Sequence, residues 1–94
     1  MANVYILYSK KLNRYYTGSC LDLEKRFGEH QSKSRKDSFT SKADDWELFF
    51  WIGDLEYKQA RKIEAHVKKL RSRKYIEDLK KFSEMSEKLI IRYR

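Results

Sequence analysis

Two side chains four residues apart, Arg26 and His30, and one later carboxylate, Glu64, are the groups in this sequence best placed to do chemistry. The stretch from about Asp22 to about Lys33 reads as a helix that Asp22 can cap, with Leu23, Phe27 and His30 recurring as one face. At ~100° per residue, Arg26 falls within about a third of a turn of that face. A buried cation is expensive without an anion, and no acidic residue sits nearby on the face. A phosphate would supply the missing charge, because a guanidinium matches it with two parallel hydrogen bonds. The competing reading is that Arg26 snorkels to water and His30 is a satisfied core histidine. Glu64 has its own case. Between Tyr57 and Ile76 stand eight basic residues, Lys58, Arg61, Lys62, Lys68, Lys69, Arg71, Arg73 and Lys74, and Glu64 is the only acid among them. On a helical wheel it lies beside the apolar stripe of Ala60, Ile63, Val67 and Leu70. Ringed by cations, it should stay ionised. A lone carboxylate suits a Mg²⁺ that keeps most of its waters and takes phosphate oxygens as further ligands. The plainer alternative is a surface ion pair with Lys68 at i+4.

The rest of the composition narrows the partners. The chain has 94 residues and a net charge of +8. Residues 1–56 carry equal numbers of basic and acidic side chains, so residues 57–94 hold the whole excess. Such asymmetry points to a polyanion, most often nucleic acid, although a solvated lysine-rich helical face would look the same. The single cysteine, Cys20, can form neither an internal disulfide nor a cysteine-built zinc site. No Gly-rich nucleotide loop and no metal-spaced His/Cys cluster is present. No run of ~18 apolar residues or basic-then-apolar leader is visible. A reducing, cytoplasmic setting is the expectation.

These groups need elements to hold them. Val4–Tyr8 and Tyr15–Thr17 are β-branched and aromatic runs around a polar turn, which predicts an antiparallel hairpin ending at Gly18. The capped helix follows, then a polar loop over residues 32–45. A third strand is expected over Trp46–Ile52, with Trp46, Leu48, Phe50 and Ile52 on one side and Phe49 and Trp51 on the other. Asp54 is the candidate cap of a helix over Leu55–Ser72, and Tyr75–Phe82 continues helically after a bend near Ser72. Residues 83–94 fit a short helix better than an edge strand. The fold class predicted is α+β: a small three-stranded antiparallel sheet flanked by helices on both faces, in the order β-β-α-β-α-α.

The hairpin carries more than a generic strand pattern. It reads Asn3-Val4-Tyr5, then ten residues, then Tyr16-Thr17-Gly18, followed by Arg26, His30 and Glu64 in that order. This constellation resembles the GIY-YIG nuclease family, and its small stand-alone members related to the nuclease domain of nucleotide excision repair endonucleases most of all. The resemblance covers roughly residues 3–80 and implies one nuclease domain over residues 1–94. It implies that Tyr5 and Tyr16 are the two motif tyrosines, Gly18 the second motif's glycine, Arg26 the helix arginine, His30 a position held by histidine or tyrosine, and Glu64 the metal-binding glutamate. Many members carry an asparagine after the metal helix. None occurs here after Asn13, and Lys74 or a neighbouring basic residue is the candidate substitute.

By that resemblance the expected function is a metal-dependent endonuclease that hydrolyses DNA phosphodiesters in repair, recombination or restriction. One Mg²⁺ or Mn²⁺ would sit on Glu64, and Arg26 would neutralise the phosphoryl oxygens. Tyr5, Tyr16 and His30 would position or deprotonate water; neither tyrosine is singled out as the base. The basic residues of 58–74 and of the loop over 33–42 would hold the DNA backbone without reading sequence. The competing readings are a non-catalytic nucleic-acid-binding module and a protein-interaction subunit on the same fold. Tyr57 is assigned to core or rim, and His66, away from Glu64 on the wheel, to the surface.

Overall fold

The computed structural model describes residues 1–31 and 42–94, except for the side chains of residues 29–31. The loop cations at positions 33, 35 and 36 therefore lie outside the described residues. The elements are β1 (Ala2–Ser9), β2 (Arg14–Cys20), α1 (Leu23–Gln31), β3 (Glu47–Leu55), α2 (Tyr57–Leu70), α3 (Arg73–Lys81) and α4 (Ser83–Arg92). The sheet is antiparallel with strand order β2-β1-β3.

β1 is central because it is apolar on both sides. Val4 and Ile6 face one layer and Tyr5 and Leu7 the other, and all four are buried. The first layer holds Ala2, Val4, Ile6, Ile52 and Leu55 against Ala60, Ile63 and Val67 of α2, Leu79 of α3 and Leu89 of α4. The second gathers Tyr5, Leu7, Cys20 and Trp46, with Leu23 and Phe27 of α1 packed on them. Helices thus cover both faces, as the two-sided strands require. Deleting a fully buried side chain of the first layer, such as Ile63, would cost about 2–5 kcal/mol.

β3 departs from simple alternation. Ile6 pairs with Phe50 but Leu7 with Leu48, so Phe49 is an extra residue in a bulge. Phe49 and Phe50 consequently both pack on the α2 layer, while Leu48 joins Trp46 on the α1 side. β3 also runs past Ile52 to Leu55. Asp54 sits in that run with φ 58° and does not cap α2. Glu56 does: its side chain accepts from the backbone of Gln59, and its own N–H donates to Gln59 Oε1 at 3.2 Å. Gln59 then donates through Nε2 to the Ile90 carbonyl at 2.9 Å, tying the start of α2 to α4. Ser72 breaks the helical run and caps α3, accepting from Tyr75 N at 3.1 Å. Residues 83–92 are helical, as the sequence predicts.

Candidate active site

Tyr5 points into the α1 layer and is 1% exposed. It stands opposite Gly18 in the hairpin register. A Cβ on Gly18 would lie 2.5 Å from the Tyr5 hydroxyl oxygen and 2.6 Å from Cζ, so the ring rests directly on the glycine backbone. That close approach is what the motif glycine permits. The Arg26 guanidinium, from the first turns of α1, donates to the Tyr5 hydroxyl. Burial raises the Tyr5 pKa well above the usual phenol value. Tyr16 adds to the rise and Arg26 opposes it, so in the free protein the hydroxyl keeps its proton. The Tyr16 ring lies 6.3 Å from that of Tyr5 and is half-buried. Arg26, expected to have no acidic neighbour on its helix face, thus has the neutral Tyr5 phenol as one hydrogen-bond partner.

Glu64 comes from the opposite layer. The candidate residues therefore flank the free edge of β2 from both layers. Side chains alternate along a strand, so Ser19, next to Gly18, faces α2. Its hydroxyl donates to Glu64 Oε1 at 2.5 Å. Lys68, one helical turn on, donates to Glu64 Oε2 at 2.6 Å and lies 5.6 Å from the centre of the Tyr16 ring. Lys68 thus bridges the layers around the strand edge. The i+4 ion pair weighed as the plain alternative does form, yet it does not leave Glu64 on an open surface: the carboxylate side chain is only 17% exposed. Partial burial works against its charge. Hydrogen bonds from Lys68 and Ser19, with the charges of Lys68 and Arg61, outweigh that and hold Glu64 below its ordinary pKa.

Next to Ser19, the hydrogen-bond partner of this carboxylate, a cavity of about 380 Å³ opens between the layers. Ser19 of β2, Lys25 and Arg26 of α1, and Tyr57 and Arg61 of α2 line it. Tyr57, assigned by sequence to packing, is 54% exposed there, and its hydroxyl accepts from Arg61 Nη1 at 3.1 Å. Ser19 and Tyr57 carry no sequence signal, because their partners are set by chain segments brought together only on folding. His30 falls in the last turn of α1, with its side chain outside the described residues. His66, expected at the surface, is partly exposed, and its Nδ1 lies 2.7 Å from the Tyr93 hydroxyl.

The basic residues of 58–74 divide. Arg61, Lys68 and Arg71 share the stripe of α2 that carries Tyr57 and Glu64. Lys58, Lys62 and Lys69 share another, ~110° away at ~100° per residue. Arg73 is spent on the hairpin, donating to the Asn13 side chain at 2.8 Å and to its carbonyl at 3.1 Å. Lys74 is exposed, 3.5 Å from Asp78.

Among the described residues no three His, Cys, Asp or Glu side chains gather as a ready-made metal cage. The donor set fits a hydrated divalent ion even so. Glu64 is ionised, half-sheltered and already engaged by a cation, and one carboxylate is what Mg²⁺ requires when phosphate and water complete its shell.

Comparison with curated proteins and with solved structures returns no significant match. The family model of the GIY-YIG catalytic domain matches residues 1–76, a span from β1 into α3 that includes both tyrosines, Gly18, Arg26, His30 and Glu64. With four-fifths of its length under that model and its motif glycine serving as the seat of the buried motif tyrosine, the chain belongs to the GIY-YIG nuclease family.

Proposed function

We propose that the protein is a divalent-metal-dependent endonuclease that hydrolyses DNA phosphodiester bonds. The observation that supports this most is an ionised, largely sheltered Glu64 held by Ser19, which itself lines a cavity that Arg26 and Arg61 reach from opposite layers. Glu64 would hold the ion, which when bound supplies charge neutralisation at the scissile phosphate and at the leaving oxygen. Ser19 fixes the carboxylate's orientation. Arg26, positioned by Tyr5, neutralises charge developing on the phosphoryl oxygens. Tyr5 enters as a hydrogen-bond donor, since burial favours its neutral form. Tyr16, half-buried beside Lys68, and His30 complete the set that positions the attacking water and receives its proton. Phosphate contacts by Arg61, Lys68 and the outer lysines hold the strand without reading sequence.

The test is a nicking assay on plasmid, flap and branched DNA with and without Mg²⁺, run beside Glu64→Ala. The variant is expected to bind DNA at least as well as wild type, because it removes a negative charge from a basic surface. Its cleavage is expected to fall by orders of magnitude. Equal cleavage by both proteins would overturn the metal assignment. No Mg²⁺-dependent cleavage by wild type on any of the substrates would leave a binding module.

A further inference from the structure

Past Lys68, the β2 edge opens into a second and larger cavity, of about 700 Å³. It lies between the β1–β2 turn and the α2–α3 junction, and both walls are braced. Asn13 takes a left-handed φ of 52°, and its side-chain oxygen accepts from the Tyr8 hydroxyl at 2.9 Å as well as from Arg73. The Arg73 guanidinium also lies 5.4 Å from the Tyr15 ring centre, so this arginine is fixed as part of the wall. Three other cations, Arg14, Lys68 and Arg71, line the cavity, and among the described residues no carboxylate does. The Arg14 and Arg71 side chains have no ion-pair partner among the described residues.

Arg71 is the informative one. It ends α2 in the left-handed region, with φ 49° and ψ 37°. Glycine occupies such positions at least steric cost. An arginine there accepts backbone strain to carry a guanidinium that no carboxylate among the described residues engages. It stands three residues beyond Lys68, about 4.5 Å along the helix axis. Arg71 is thus about 10 Å along the axis from Glu64, with Lys68 standing between them.

We propose that this cavity is a second phosphate subsite, in which a backbone phosphate flanking the scissile one docks on Arg14, Lys68 and Arg71. The strand being cut then runs along the β2 edge, from the cavity beside Arg26 to the cavity beside Arg71. Lys68 belongs to both places, through Glu64 and through this wall. The proposal rests on the nuclease reading and adds the path of the substrate.

The test measures binding alone, by fluorescence anisotropy of labelled oligonucleotides in EDTA, with single phosphates replaced in turn by uncharged methylphosphonates. For wild type, one non-scissile position should weaken binding roughly tenfold, the scale of one charge-assisted hydrogen bond. Arg71→Gly should bind the unmodified strand more weakly by a similar factor and be insensitive to the methylphosphonate at that position. Its log–log salt slope should be smaller by about 0.7–0.9. Its melting temperature should be no lower than that of wild type, because glycine suits the backbone. Arg14→Ala should couple to the same phosphate. Wild-type affinity in Arg71→Gly, or full methylphosphonate sensitivity retained in it, would overturn the subsite while leaving the nuclease reading standing. Absence of DNA binding by wild type at low salt would overturn both.

Discussion

Replacing Gly18 by alanine would put a methyl group 2.5 Å from the Tyr5 hydroxyl oxygen, inside any tolerable contact distance. The ring cannot swing away cheaply, since Tyr5 is 1% exposed and its hydroxyl is tied to Arg26. Gly18→Ala is expected to cost about 1–3 kcal/mol, the range for overpacking a filled core. Because the displaced atom is the partner of Arg26, nicking activity should fall further than the smaller folded fraction explains. Urea denaturation gives the first quantity and nicking at a temperature where the variant is fully folded gives the second. Unchanged stability would mean that the ring does not rest on the glycine. At this scale a motif glycine and a motif tyrosine are one unit: the absent side chain makes room for the present one.

The elements are joined by a few polar contacts whose strength depends on conditions. His66 of α2 lies 2.7 Å from the Tyr93 hydroxyl beyond α4 and 6.1 Å, ring to ring, from Tyr75 of α3. Burial and the nearby charges of Arg92 and Lys69 lower its pKa below the ordinary histidine value. The folded state therefore resists protonation and the unfolded chain does not. As pH falls through about 6.5 the unfolded state takes up the proton first, so stability declines; above that value the contribution is fully present. Thermal melts between pH 8 and pH 5 should show this decline in wild type and a shallower one in His66→Gln. Parallel curves would place the pH dependence elsewhere. The docking of α4 lies beyond the matched span of residues 1–76, so its loosening at low pH need not disturb Glu64.

The whole molecule distributes its charge in two stripes along α2, one beside the candidate site and one facing away. Removing the outer set, Lys58, Lys62 and Lys69 together, should weaken DNA binding about equally for every sequence. It should lower the salt slope by up to about 0.9 for each phosphate no longer neutralised and leave the single-turnover cleavage rate of bound DNA unchanged. Removing Lys68 should change that rate, because this side chain touches both the carboxylate and the Tyr16 ring. Anisotropy titrations and single-turnover nicking separate the two effects. Equal falls in rate from the two sets would mean that the stripes do not differ in function.

Local pattern alone carried a good part of this protein. Alternation and β-branching marked the hairpin, the 3.6-residue period marked α1 and α2, and the order of Tyr5, Tyr16, Gly18, Arg26, His30 and Glu64 pointed to the family that the comparison shows. The strand and helix signals are legible because each depends on residues within a turn or a strand of one another, and the family signal because it is a fixed order of residue types along the chain. What only the tertiary structure decided depends on pairs far apart in sequence. Ser19 meets Glu64 across 45 residues, and Arg73 meets Asn13 across 60. The bulge at Phe49 turns two phenylalanines to one layer, which no alternation rule foresees, because the pairing with β1 decides where the extra residue goes. That the candidate site lies at a strand edge is decided in the same way. Helix periodicity fixes which side of α2 Glu64 lies on, but only the packing of α2 over the β2 edge determines what that side faces.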